Sequence, residues 1–201
     1  MTPISTGRRT VPFPVRAGLL ALVLSPFMAV PALAQQIVIG GGAGATCYNH
    51  ALFGRYDAVA LDDCTKALRV GLPTRRDLSA TYVNRAIIRI YREEYDLALE
   101  DIEESLKRRV FAEAYATRGV AYHYLGRFDE AVEQATVALE AGDLDEPEKV
   151  YYNRAVSLER LDRIEDAYND YMRAAEIAPD WDLPRQELTR FVVVEEPVPG
   201  S

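Results

Sequence analysis

Few side chains in this sequence have the chemistry for catalysis or metal binding, and their spacing decides what they can do. The 201 residues hold two histidines and two cysteines. His50 and His123 have no further ligand or acid at helical spacing. Neither a zinc site nor a serine–histidine–carboxylate arrangement can therefore be assembled from local motifs. Carboxylate pairs such as Glu93-Glu94 and Glu103-Glu104 would suit glycosidic chemistry only if distant segments brought them face to face. On polar helix or turn positions they read as solvated charge. The run from Ile37 to Gly44, IVIGGGAG, has the glycines of a phosphate loop without its Gly-Lys-Ser/Thr ending, and reads as a flexible leader. Cys47 and Cys64 either bond to each other or pack as small buried thiols, depending on the compartment. The expectation is a chain with no cofactor, no metal and no enzymatic activity.

The rest of the sequence must supply the scaffold. At 49% hydrophobic and 27% charged residues, the composition is that of an ordinary globular domain. The formal charge of −8 would become −11 without Arg8, Arg9 and Arg16. Clustered positive charge is missing, which argues against a nucleic-acid partner. Residues 1–34 read as a signal peptide. Those three arginines precede or border an apolar run from Ala17 to Val30, and Ala32-Leu33-Ala34 supplies the small-x-small pattern of a cleavage site. A spanning anchor needs roughly 20 unbroken apolar residues, and here Pro26 breaks the run and Pro31 closes it. No cysteine follows the cleavage site to take a lipid. The mature protein is expected to be periplasmic or secreted, with no membrane anchor after cleavage. General secretion fits better than the twin-arginine route, which Arg8-Arg9 leaves open.

Beyond the leader the sequence repeats itself. Tyr82 to Leu106, Tyr115 to Leu139 and Tyr151 to Ala175 superimpose without gaps. Each opens on an aromatic, reaches a small residue four positions later (Ala86, Gly119, Ala155) and places alanine twelve beyond it (Ala98, Ala131, Ala167). The small residues are 33 and 36 positions apart. Apolar residues within a copy recur at helical spacing, as in Val83, Ala86, Ile87 and Ile90. Small residues on both helices let them approach closely. A degenerate copy precedes these three, with Gly54-Arg55-Tyr56-Asp57 as its turn and a second helix displaced by about one residue.

These three registered copies, with the turn Leu125-Gly126-Arg127-Phe128-Asp129-Glu130-Ala131 and Pro179 at a repeat end, resemble the tetratricopeptide repeat family over about Ala45 to Pro179. The resemblance implies an all-α, right-handed solenoid of antiparallel helix hairpins. About four repeats are expected (45–70, 79–109, 112–141 and 148–179) within a domain spanning 45–194. Residues 35–44 would be a flexible leader. A capping helix over 183–194, with Asp182 as its cap, would shield the last hairpin, and 195–201 would form a disordered tail.

Four further expectations follow. In an antiparallel hairpin Arg85 should meet Asp101, and Arg154 should meet Asp170, as structural ion pairs; between them Arg118 faces Gln134. Cys47 and Cys64, one on each helix of the first hairpin, should bond in an exported protein, with free buried thiols as the alternative. In the family the first helices line a concave groove. Its exposed positions here would be Val83, Ile87 and Ile90, then Ala116, Val120 and His123, then Tyr152, Val156 and Glu159, with Asn84 and Asn153 beside them. The implied function is a scaffold or adaptor whose partner is a protein or peptide with apolar anchors and some positive charge. Lysine is absent from these faces except Lys149, which disfavours a clamp for a C-terminal carboxylate. The other readings are a self-assembling solenoid or homodimer and, more remotely, an envelope enzyme.

Overall fold

The computed structural model describes residues 9–13, 44–70 and 74–195. The elements are β1 (Arg9–Phe13), α1 (Gly44–Leu52), α2 (Ala58–Arg69), α3 (Arg75–Tyr91), α4 (Tyr95–Arg108), α5 (Ala112–Tyr124), α6 (Phe128–Ala141), α7 (Pro147–Arg160), α8 (Ile164–Ile177), α9 (Asp182–Leu188) and β2 (Phe191–Glu195). The architecture is all-α. Helices pair in sequence order as α1–α2, α3–α4, α5–α6 and α7–α8; each second helix then packs on the next first helix, and α9 closes on α8. First helices also meet one another, α1 with α3, α3 with α5 and α5 with α7, so they share one face of the solenoid. Of the expected signal peptide, leader and tail, only β1, Gly44 and Glu195 fall among the described residues. No helix among those residues is long and apolar enough to cross a membrane.

One turn geometry recurs in all four hairpins. Arg55, Glu94, Arg127 and Arg163 each donate a backbone N–H to the carbonyl five residues back, on His50, Arg89, Tyr122 and Leu158, all at 2.9 Å. The residue before each donor is left-handed: Gly54 at φ 69°, Glu93 at 61°, Gly126 at 73° and Asp162 at 59°. This is the closing bond of a Schellman helix end. Seven residues before the left-handed positions stand Cys47, Ala86, Gly119 and Ala155, all buried. They mark where the two helices of each hairpin cross. At Gly119 the approach is tight, since a Cβ there would lie 3.0 Å from the carbonyl oxygen of Ala131.

The first hairpin keeps this plan with one adjustment. Helix α2 begins four residues after Gly54, whereas α4, α6 and α8 begin two after their left-handed residues. Asp57 caps α2 by accepting from the Ala60 N–H at 2.9 Å. Ala60 then takes the buried place that Ala98, Ala131 and Ala167 hold in the other hairpins. Cys47 and Cys64 form a disulfide across the crossing, with their Cα atoms 4.6 Å apart. Helix α3 starts at Arg75, four residues before the repeat boundary expected at 79, because Thr74 caps it. Its hydroxyl accepts from the Asp77 N–H at 3.0 Å and donates to the Asp77 carboxylate at 2.7 Å.

Buried polar ties join the second hairpin to the first and the fourth to the third. The Arg85 guanidinium donates to both Asp101 oxygens, at 2.9 and 2.6 Å, and reaches back to Thr65 on α2 at 3.1 Å. Arg154 repeats this with Asp170 at 2.7 and 2.8 Å and with Thr136 on α6 at 2.9 Å. Each of these arginines also lies over the ring three residues earlier, Arg85 over Tyr82 and Arg154 over Tyr151, both at 5.5 Å. In the hairpin between them Arg118 donates to Gln134 at 2.8 Å, a bond to a neutral acceptor. Burial pushes the Asp101 and Asp170 carboxyls up, against the pull of the arginines.

The C-terminal end differs from the sequence expectation. The capping helix stops at Leu188, and residues 191–195 form a strand that pairs in parallel with β1, Arg9 opposite Phe191 through Phe13 opposite Glu195. The run Val192-Val193-Val194 favours extended backbone, because branching at Cβ crowds the preceding helical turn. Asp182 is not the cap either. It is the first residue of α9, preceded by Trp181, and no side-chain cap bond forms there; its carboxylate instead accepts from Arg185 at 2.6 Å.

Two measurements probe this scaffold. Glu93→Gly and Asp162→Gly remove a side chain from a left-handed residue, and each should stabilise the protein by about 1 kcal/mol. The expected signature is a higher urea midpoint at unchanged slope, with Gly126→Ala shifting the midpoint the other way. Asp101→Ala leaves the buried Arg85 charge without its partner and should cost about 3 to 5 kcal/mol. A loss below 1 kcal/mol in the same denaturation experiment would mean that Arg85 is held by Thr65 and Tyr82 alone.

Candidate functional site

The face shared by α3, α5 and α7 is more closed than an open groove would be. Val83, Asn84, Ile87 and Ile90 on α3 are buried, as are Ala116 on α5 and Tyr152, Val156 and Glu159 on α7. The expected exposed apolar strip is therefore corrected to one that is largely interior. Its branched side chains fill the space between neighbouring first helices, where they pack with Ala51 of α1 and with Ala114 and Ala121 of α5. Tyr152 is covered from the other side. The Trp181 ring lies 5.1 Å from its own, and its hydroxyl donates to Glu187 of α9 at 3.3 Å. Glu159 accepts from Tyr171 at 2.8 Å and from Arg190 at 2.6 Å, which seals the C-terminal end of the face.

What remains accessible converges on one place. Val120, His123 and Asn153 are half-buried, and together they line a crevice between α5, α6 and α7 of about 20 Å³. Small residues make the room, Ala116 and Gly119 on α5 and Ala131 and Ala135 on α6. Ser157, which sequence reasoning did not single out, forms part of the wall. It lies one turn beyond Asn153 on α7, and its hydroxyl oxygen is 2.8 Å from His123 Nδ1. The signal was present in the spacing, since His123 and Ser157 are 34 residues apart, about one repeat.

The Ser157 hydroxyl lies between two partners, 2.8 Å from His123 Nδ1 and 3.1 Å from the backbone carbonyl of Asn153, and the direction of the first bond depends on the His123 tautomer. Burial, reinforced by the nearby Arg160 guanidinium, lowers the His123 pKa from 6.5 to about 4, so the ring is neutral at physiological pH. Tyr124 and Phe128 hold it edge-on at 5.6 and 5.3 Å, and Arg160 lies over Phe128 at 4.9 Å. The buried Asn153 Oδ1 has no hydrogen-bond partner among the described residues. The crevice thus offers acceptors in an apolar frame and suits a ligand that brings donors. Among the described residues no three His, Cys, Asp or Glu side chains are placed to hold a metal ion.

An aromatic ladder flanks the crevice along the turn edge. Tyr56 at the first turn stacks on Tyr91 of α3 at 3.8 Å, and Tyr95 of α4 stacks on Tyr124 of α5 at 5.5 Å. Arg160 over Phe128 is the third rung, with a cation in place of the second ring. Each rung joins the start of one hairpin's second helix to the end of the next hairpin's first helix.

Comparison with known proteins gives a consistent result. Residues 112–141 and 148–180 each match the family model of the tetratricopeptide repeat, which places one match on α5–α6 and the other on α7–α8. No curated protein matches the chain.

A pH titration of stability tests the state assigned to His123. An imidazole whose pKa is lower in the folded protein takes up its proton mainly on unfolding, so its contribution is full above pH 6.5 and is lost as pH falls toward 4. That loss amounts to roughly 3 kcal/mol. Because Asp101, Asp170 and Glu113 are raised by burial and act in the opposite sense, the quantity to read is the difference between wild type and His123→Gln. The two stability profiles should converge as pH falls from 7 to 4. Parallel profiles would place the imidazole in water.

Proposed function

We propose that this chain, a tetratricopeptide-repeat protein, is an exported scaffold that holds a segment of another protein at the crevice between α5, α6 and α7. Repeats of this family build protein-binding surfaces, and the part of the shared face that remains open here is the crevice. The observation that carries the reading is the unpartnered Asn153 Oδ1, buried in a lined cavity between α5, α6 and α7. A protein segment brings what this site lacks, namely N–H donors together with apolar side chains for Val120 and Tyr124. A net charge of −8 favours a partner with some positive charge. Lys149 is engaged with Glu146 at 2.5 Å, so no lysine on this face stands ready for a terminal carboxylate.

Export to the periplasm or beyond is supported by the leader and by the disulfide between Cys47 and Cys64, a bond that persists in oxidising compartments. The reading is tested with a photo-crosslinking residue at position 120, introduced into the protein in its native compartment. The captured protein, once identified and purified, should bind the wild type at least tenfold more tightly than Val120→Glu, with helical content unchanged in the variant. Equal affinity for the two would remove the crevice from the binding surface. Concentration-dependent oligomers with no other captured protein would favour the self-assembling solenoid instead.

A further inference from the structure

Strand β2 is anchored from below by helix α8. The Phe191 ring is buried, with its centroid 5.6 Å from that of Tyr168 and 5.9 Å from that of Tyr171. Arg190, just before the strand, is tied to Glu159 at 2.6 Å and to Glu187 at 2.5 Å. The start of β2 is therefore fixed to α7, α8 and α9 whether or not another strand lies beside it. Its backbone edge is taken by β1 in parallel register, and β1 also rests on α8. The seat has a floor and one fixed wall.

The occupant comes from the expected signal peptide, residues 1–34, that export would remove. Loss of β1 would leave a fixed strand with unpaired N–H and C=O groups, which is a template for a further strand. We infer that the β2 edge is a strand-acceptor site, where the mature protein takes an extended segment of a partner, parallel to β2, in the seat that residues 9–13 hold before processing. This inference rests on the export reading above and is independent of the crevice.

The resident strand specifies the chemistry of the visitor. Its sequence Arg9-Thr10-Val11-Pro12-Phe13 holds no acidic residue, in keeping with the acidity of the chain. Pro12 has no N–H and so must be one of the alternate residues whose backbone faces away from β2. Arg9, Val11 and Phe13 are left to form the ladder. The segment recognised is about five residues, extended, free of acidic side chains, and tolerant of proline at its fourth position.

The test uses a labelled synthetic peptide of residues 7–14, read by fluorescence polarisation. It is added to the protein recovered from the export compartment, with its intact mass determined, and to the full-length chain made without export. The processed protein should bind the peptide at least tenfold more tightly than the full-length chain, whose own strand fills the seat. A peptide carrying Val11→Pro, which removes the central ladder donor, should not bind. Full-length protein carrying Val11→Pro provides a free edge even where the leader is retained, and it too should bind the wild-type peptide. An unprocessed mass with binding retained by that variant would discard the export reading and keep the strand site. Absence of binding by both the processed protein and the variant, with helical content intact, would overturn the inference.

Discussion

Two helices can lie close along a hairpin only if something small stands where they cross, and this constraint organises the whole solenoid. Cys47, Ala86, Gly119 and Ala155 occupy that point in successive hairpins, each seven residues before a left-handed turn residue. With the crossing fixed, the other contacts fall into register. The arginine one residue before Ala86, and its counterpart before Ala155, reaches an aspartate on the partner helix and a threonine on the preceding hairpin. A larger residue in place of Ala86 or Ala155 would part the helices and lengthen those bonds together. The first hairpin meets the same constraint covalently, with Cys47 at the small position and Cys64 facing it.

The repeat was legible because its strongest signals are local. Aromatic, arginine and alanine recur at fixed offsets, and the helical hairpins of the structure follow them. The turn conformation was less so. Glycine at 54 and 126 signals a left-handed residue, but Glu93 and Asp162 adopt the same geometry without any such sign, because the Schellman bond and the packing of both helices impose it. Burial of the α3 strip was hidden for a different reason. Whether Val83 or Ile87 faces solvent is decided by α1 and α5, elements far away in sequence. At the C-terminus the β-branched run after Phe191 did carry a strand signal, and the capping helix expected over 183–194 overran it.

The candidate site shows the same division. The family resemblance places His123, Val120 and Asn153 on one face. Ser157, and with it the hydrogen bond to His123, emerges only when two hairpins are set side by side. The electrostatics depend equally on assembly. A solvated histidine would titrate near neutrality, whereas this ring, enclosed by Tyr124, Phe128 and the Arg160 guanidinium, stays neutral. The crevice itself carries no formal charge on His123, Asn153 or Ser157.

The uneven reinforcement of the hairpins has a mechanical meaning. Its two ends are stiffened, by a covalent bond across the first hairpin and by the Arg190 clamp and α9 beyond the last. The hairpin formed by α5 and α6 has neither, and its Arg118 meets neutral Gln134 where its neighbours have an ion pair. A solenoid deforms as springs in series do, so strain collects in its softest coil. Bending of the molecule therefore concentrates at the hairpin that walls the crevice, and the curvature of the rod and the width of that opening change together.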